Sequence, residues 1–359
     1  TKKIGADFGV VISASHNKME YNGIKIFDEK GLKLGDQREE NLEKKFVTKV
    51  NLPTHKIGRY NQQFNLVDEY VKHAVNACKT KLSGLKIVLD ASNGALFNVA
   101  PKVFKNLGAQ VIKVNCNNDG FKINEDCGSL HPNKLVKKVL NSGADMGFAF
   151  DGDGDRIIAC DKSGKLLDGD LIIYILAKYM QQNGSLKNNT VVGTQHTNMG
   201  IEKALNKLGL TLIRTDIGDK YVSQKIEQNG LSLGGEKSGH IIIRDYTSTG
   251  DGLLTAVKLA EICKAQNTTL ANLLGDVTLY EQVNIDYVTK DKMRVINSEK
   301  LINIIEEQKT LNKNARIMVR VSGTEPKIRI MVESENLETA NKVAKSIEKV
   351  VSEISKEEW

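Results

Sequence analysis

No run of apolar residues in this chain approaches the ~20 needed to cross a bilayer as a helix, so a membrane protein of that kind is not expected. No signal-peptide pattern follows Thr1 either. Cysteine is sparse and unpaired in pattern: Cys78, Cys116, Cys127, Cys160 and Cys263 are scattered, odd in number and without a CxxC pair. That argues against a disulfide framework and for reduced thiols in a cytoplasm. Aromatic residues make up only 5% of the chain, and no compact basic block occurs. A nucleic-acid partner is therefore not expected, because both the stacking platform and the electrostatic footprint are missing. Low-complexity segments are absent as well.

What is present is a globular composition, 40% hydrophobic and 26% charged. A length of 359 residues is too much for one ordinary core, so two to four domains are expected. The net charge of +7 comes from 51 Lys and Arg against 44 Asp and Glu, spread along the chain. Such a balance suits anionic substrates and equally suits a plain solvated surface.

The pattern of elements divides the chain at 1–65, 66–165, 166–280 and 281–359. The first part holds the β-branched run Gly9–Ser13, fit for a buried strand, a loop over Ala14–Asn17, a strand at Ile24–Phe27 and a charged helix at Gln37–Phe46. It is thin for a core of its own, and its N-terminal part is expected to be missing. In the second part, helix 66–79, strand Lys86–Asp90, helix 97–107, a stop at Gly108 and strand Ala109–Val114 make a βαβ pattern. A helix at 132–141 and the strand Asp145–Phe150 complete it. In the third part, strand Thr190–Gly193, helix 199–208, a stop at Gly209 and strand Thr211–Thr215 repeat the idea, and a long helix at 252–266 follows. VFKNLGAQVIKV (103–114) aligns without gaps to ALNKLGLTLIRT (204–215), which reads as two copies of one α/β unit. The last part reads β-α-β-β-α: strand 281–288, helix 299–309, strands 315–321 and 327–333, helix 336–354. Short polar linkers are expected near 61–65, 162–169 and 289–297.

Four stretches carry chemistry. Asp151-Gly-Asp-Gly-Asp155 follows directly on the apolar strand ending at Phe150, and its alternate glycines let three carboxylates point at one centre. Clustered anions repel unless a hard cation sits among them, and all-oxygen ligation suits Mg²⁺. An EF-hand is rejected, since its sixth position would be Arg156 instead of Gly and its twelfth Lys162 instead of Glu. Ser13-Ala-Ser-His-Asn17 ends a strand, and the G-x-S-x-G elbow of the hydrolases is absent. Lys25 lies close enough in sequence to neutralise a phosphate on a serine or to take its proton. Gly234-Gly-Glu-Lys-Ser-Gly-His240 exposes Glu236 and Ser238 to a ligand between glycines, and His240 could move a proton. Arg320-Val-Ser-Gly-Thr-Glu-Pro326, with Arg329, offers hydroxyls, backbone N–H groups and forked donors, as a phosphate requires.

These four stretches, in this order, resemble the α-D-phosphohexomutase family, and the likeness runs from residue 1 to near 359. The resemblance implies four domains around a central cleft: three related mixed-sheet α/β domains, the first incomplete here, and a C-terminal α+β domain. It implies a Mg²⁺ site of phosphorylated Ser15 with Asp151, Asp153 and Asp155. It implies sugar reading by Glu236 and Ser238, and a phosphate clamp of Arg320, Ser322, Gly323, Thr324 and Arg329. Lys25 and His240 are then proton handlers, with His16 and Arg156 in supporting contact. Asp245–Gly252 and Arg214–Tyr221 resemble the glucosamine branch. The implied reaction converts glucosamine 6-phosphate into glucosamine 1-phosphate through a 1,6-bisphosphate, so the partners are a hexosamine phosphate and its bisphosphate. A glucose or mannose preference, an inactive sugar-phosphate-binding fragment and a homodimer all stay open. Lys18 stands where the family has Pro, Lys237 where this branch has Gln, and the family's opening segment has no counterpart.

Overall fold

The computed structural model describes residues 1–46, 58–323 and 325–356. They form two compact units, Thr1–Thr197 with Leu205–Gly275, and Asn198–Ala204 with Asp276–Trp359. No helix among the described residues is long and apolar enough to cross a membrane.

The first unit begins with β1 (Phe8–Ile12) and β2 (Ile24–Asp28), an antiparallel pair in which Val10 faces Ile26 and Val11 faces Lys25. The strand at Gly9–Ser13 is not the buried one expected: two strands alone bury little, and Phe8, Val10, Ile12 and Ile24 stay exposed. The connection between the strands carries Ser13–Asn17. Helix α1 (Asp36–Phe46) follows, with Asp36 and Glu39 at its start and Lys44 and Lys45 at its end, as the helix dipole favours.

After α2 (Asn65–Asn76) come β3 (Lys86–Asp90), α3 (Val99–Asn106), β4 (Gln110–Val114), α4 (Asn133–Ser142), β5 (Met146–Phe150), β6 (Ile157–Asp161) and β7 (Leu166–Leu167). The sheet order is β4-β3-β5-β6-β7. Strands β3, β4 and β5 are parallel, and β6 and β7 extend the sheet antiparallel. Flanked on both sides, β5 is buried throughout, which is why its sequence, MGFAF, shows no alternation.

The pattern then repeats: α5 (Gly169–Gln182), β8 (Thr190–Thr194), α6 (Met199–Lys207), β9 (Thr211–Thr215), α7 (Asp219–Asn229), β10 (Leu233–Gly235), β11 (Ile241–Ile243), α8 (Gly252–Ala265) and α9 (Leu270–Leu274). Here the order is β11-β10-β8-β9, with β8, β9 and β10 parallel and β11 antiparallel. Both stop glycines of the aligned segments are left-handed, Gly108 at φ +92° and Gly209 at φ +73°. The likeness between 103–114 and 204–215 thus extends to whole units, β3-α3-β4-α4-β5-β6 beside β8-α6-β9-α7-β10-β11. In that equivalence the acidic loop 151–156 (between β5 and β6) and the loop 236–240 (between β10 and β11) occupy the same place in their sheets.

Several expectations are corrected. The linker expected at 162–169 contains β7 and the cap of α5, a fully formed helix. The stretch 289–297 contains α10 (Lys292–Ile296). Helix α7 and the short strands β10 and β11 were also not foreseen.

The second unit has α10, then α11 (Glu299–Leu311), β13 (Arg316–Val321), β14 (Lys327–Ser334) and α12 (Leu337–Lys356), all following β12 (Glu281–Val288). Its antiparallel sheet runs β12-β14-β13. Ile328, Ile330 and Val332 on β14 are buried with Ala340, Val343, Ala344, Ile347 and Val351 of α12, the pairing of a period-2 strand face with a period-3.6 helix stripe.

Candidate active site

Asp151 closes the turn between β5 and β6. Its Oδ1 accepts from Arg156 N at 3.1 Å, and its Oδ2 accepts from the Ser15 hydroxyl at 2.8 Å. Carboxylate oxygens of Asp151, Asp153 and Asp155 lie within 4.8 Å of one another. Lys25 Nζ donates to Asp153 Oδ2 at 2.6 Å and to Asp155 Oδ2 at 3.0 Å. Asp153 Oδ1 and Asp155 Oδ1 are buried and have no hydrogen-bond partner among the described residues.

Three acids face one ammonium, with the Arg156 guanidinium 4.0 Å from Asp155 Oδ1, so the acids still outnumber the cations beside them. Burial, then the charges of Asp155 and Asp153, push Asp151 up to about 7. Burial alone would also raise Asp155, but the charges beside it, Lys25 and Arg156 among them, outweigh it and hold Asp155 below its ordinary value. Burial disfavours the Lys25 ammonium, yet Asp155 and Asp153 more than compensate, so Lys25 stays protonated. Buried carboxylate oxygens without a hydrogen-bond partner, gathered on one turn, are hard donors of the kind a divalent cation takes. The residues present fit a metal ion.

His16 sits with Nδ1 3.0 Å from Arg156 Nη1. A guanidinium can only donate, so Nδ1 accepts and the imidazole proton resides on Nε2. Burial and Arg156 lower the His16 pKa, which keeps this neutral tautomer.

The sugar-loop candidates come from β10 and β11. Glu236 Oε1 accepts from Gly218 N at 3.1 Å; burial and then Asp219 raise its pKa. His240 is buried, its pKa is lowered chiefly by that burial, and its ring nitrogens have no hydrogen-bond partner among the described residues. The nearest acid, Asp219, lies 3.6 Å from Nε2 and is also paired with Lys33. A cavity of about 350 Å³ has Ser15, Lys25, Asp155, Arg156, Glu236, Ser238 and His240 in its wall, within the size range of small-ligand sites. The sequence-level candidates of this unit therefore converge on one place.

The two hairpin loops touch and are gripped crosswise. Ile157 N donates to Gly239 O at 3.1 Å. Helix α5, which follows the acidic loop, has Asp168 as its cap, and Gly169 N donates to Lys237 O of the other loop at 3.0 Å. Helix α8, which follows the 236–240 loop, has Asp251 as its cap, and Gly252 N donates to Gly154 O of the acidic loop at 3.0 Å. Asp251 also accepts from Tyr70 Oη at 2.9 Å. Glycine is required at both crossing points. A Cβ on Gly252 would come within 2.5 Å of Arg156 O, and one on Gly169 would run into Glu236 O and Gly239 N.

In the second unit, Arg320 and Arg329 face each other across β13 and β14. Directly opposed like charges destabilise a sheet, and burial and then Arg329 lower the Arg320 pKa; an anion between them relieves both. Arg329 Nη2 reaches Glu325 Oε2 at 2.9 Å. Ser322 is buried with its hydroxyl accepting from Glu325 N at 3.3 Å, and Gly323 is open to solvent. Thr324 lies outside the described residues.

Sequence reasoning missed Lys33, Asp219, Asn124 and Lys292. Lys292 Nζ donates to Ser322 O at 2.6 Å, which holds the turn between the two arginines. Asp219 lies within Arg214–Tyr221, the stretch that resembles the glucosamine branch; the other three lie in no motif, and the partners of all four are remote in sequence.

Family models described as phosphoglucomutase/phosphomannomutase α/β/α domains I, II and III match residues 1–51, 68–164 and 168–280, and the C-terminal domain of the same family matches 283–350. Curated relatives include phosphoglucosamine mutases of Clostridium novyi, 42% identical over 98% of this chain and 80% of that protein, and of Desulforamulus reducens, 42% identical over 99% and 81%. Among solved structures, a phosphoglucomutase/phosphomannomutase family protein of Burkholderia thailandensis superposes with a TM-score of 0.79 at 22% identity, over 97% of this chain and 77% of that one. The N-acetylphosphoglucosamine mutase of Aspergillus fumigatus, in complex with GlcNAc-6P and magnesium, gives 0.74 at 18% identity, over 99% and 90%.

Proposed function

Because the chain belongs to the phosphoglucomutase/phosphomannomutase family, we propose that it works as a phosphoglucosamine mutase, interconverting glucosamine 6-phosphate and glucosamine 1-phosphate through a phosphorylated Ser15. Curated phosphoglucosamine mutases about 42% identical over nearly the whole chain support that activity. The observation that carries the mechanism is the 2.8 Å bond between Ser15 Oγ and Asp151 inside the acidic trio.

In this reading Asp151, Asp153, Asp155 and the phosphorylated Ser15 hold Mg²⁺, which when bound neutralises charge on the transferring phosphoryl group. Transfer breaks the bond between Ser15 Oγ and phosphorus and forms one to O1 of glucosamine 6-phosphate. Lys25, kept protonated by its two acids, gives its proton to the departing Oγ. The neutral His240 takes the proton that O1 loses. His16, with Nε2 as a donor, and Arg156 hold the phosphate oxygens. The product of this half is the 1,6-bisphosphate, and the second half returns its 6-phosphoryl group to Ser15. Glu236 and Ser238 bind the sugar hydroxyls; Arg320, Ser322, Gly323, Thr324 and Arg329 hold the phosphate that is not reacting. A division at 1–65, 66–165, 166–280 and 281–359 is part of the proposal. So is a cytoplasmic setting, which suits the five free thiols.

The test compares turnover of glucosamine, glucose and mannose 6-phosphates with Mg²⁺ and a trace of sugar bisphosphate. The expected result is the highest kcat/KM on the glucosamine compound. A preference for glucose or mannose would assign the chain to the other branch.

A further inference from the structure

Ser15 holds a left-handed backbone at φ +53°. For a serine this costs roughly 1 kcal/mol, so neighbouring groups must hold it there. Two hydrogen bonds converge on the Ser15 carbonyl, from Gly152 N at 3.2 Å and from Asn124 Nδ2 at 2.8 Å. The same Nδ2 donates to Asn17 O at 2.8 Å. A side-chain amide has two protons, and here both are used on one loop.

Asn124 is suited to a rigid clamp. It is only 6% exposed, and its φ of +56° is one that asparagine tolerates. Its backbone N–H donates to Ser92 O at 3.0 Å, and Ser92 N donates to Asp90 Oδ1 at 3.0 Å. Asp90 ends β3 and is fully buried. The clamp is thus anchored in the sheet of the acidic loop and acts on the loop of the serine. The fit is close: a Cβ on Gly152 would meet Ser15 O at 2.6 Å and Asn124 Nδ2 at 2.7 Å.

We propose that Asn124 is a positioning residue for phosphoryl transfer, fixing the Ser15 backbone so that Oγ stays against the acidic trio. This rests on the reading of Ser15 as the phosphoryl carrier. Asn124 touches the Ser13–Asn17 loop through its amide and holds Ser15 by the main chain, so its loss disturbs transfer more than substrate binding.

The experiment uses N124D, which replaces the two N–H donors of Nδ2 by one acceptor oxygen at constant shape, and N124G, which keeps the left-handed backbone and removes the amide. In both, kcat on glucosamine 6-phosphate falls on the order of 10- to 10²-fold, the scale of a displacement of about 1 Å. KM stays within about twofold, as expected for an interaction outside substrate binding. Hydrogen exchange of the peptide spanning Ser13–Asn17 speeds up. Folded variants with unchanged kcat overturn the proposal, as do a rise in KM that accounts for the loss or failure of both variants to fold. If the wild-type chain itself turns over no sugar phosphate, the functional reading fails separately, and the exchange measurement alone decides whether Asn124 holds the loop.

Discussion

Gly252 donates its backbone N–H to Gly154 O at 3.0 Å, tying the capped start of α8 to the middle of the acidic loop. Its counterpart, Gly169, does the same for the 236–240 loop through Lys237 O. Each loop is held by the helix that follows the other.

This crossing predicts separable effects. Gly252→Ala pushes against Arg156 and should raise the Mg²⁺ concentration for half-maximal activity about 10-fold or more, the usual effect of disturbing groups behind metal ligands. Gly169→Ala should instead raise KM for the sugar phosphate and leave the Mg²⁺ requirement near that of the wild type. Metal and substrate titrations of both variants check this.

Metal binding should stabilise the fold. A ligand at about 100 times its Kd adds about 2.7 kcal/mol, so the melting temperature of the wild type should rise with added Mg²⁺. Asp153→Asn removes one of the three carboxylates, and its melting temperature should stay flat over the same titration. Thermal melts at increasing Mg²⁺ check it.

His240 predicts a pH effect. Its folded pKa lies below the ordinary 6.5, first because of burial. The unfolded chain therefore binds the proton more readily, and unfolding takes up a proton between the two values. Stability from this group is complete above 6.5 and is lost as pH falls towards the lowered folded value. His240→Gln should flatten that part of the stability curve, which melts between about pH 7.5 and about pH 5 measure directly.

The thiols should be quiet. Burial pushes Cys127, Cys160 and Cys263 up to about 12, so the thiolate fraction at about pH 8 is on the order of 10⁻⁴. Cys78 and Cys116 are raised too, chiefly by burial, but are only half-buried. Maleimide should label these two slowly in the native protein and reach the other three only after denaturation, as peptide mass spectrometry would record.

The fold was legible where one physical signal dominated. Strand β3 and the Gly108 and Gly209 stops announce themselves through apolar runs and left-handed turns. Helix α5 did not, because GDLIIYILAKYM is buried on nearly every side and lacks the polar stripe that periodicity detects. Strands β10 and β11, three residues each, are too short to show alternation. At the candidate site, the three acids were legible as a local motif with clear electrostatics, whereas Ser15 stood out only through the family resemblance of its loop. Asn124, Lys33 and Asp219 were not, since an amide on a carbonyl or an ion pair between distant loops exists only once the chain is folded.

The most direct measurement follows the phosphoryl group itself. The wild-type chain, carrying radiolabelled phosphate on Ser15 after exposure to labelled sugar 1,6-bisphosphate and Mg²⁺, is mixed with unlabelled glucosamine 6-phosphate. The account predicts that label leaves the protein and appears at O1 of the sugar product, and that Ser15→Ala, still folded, never acquires label. Turnover by the Ser15→Ala chain, or label stably held on another residue while the sugar reacts, would contradict it.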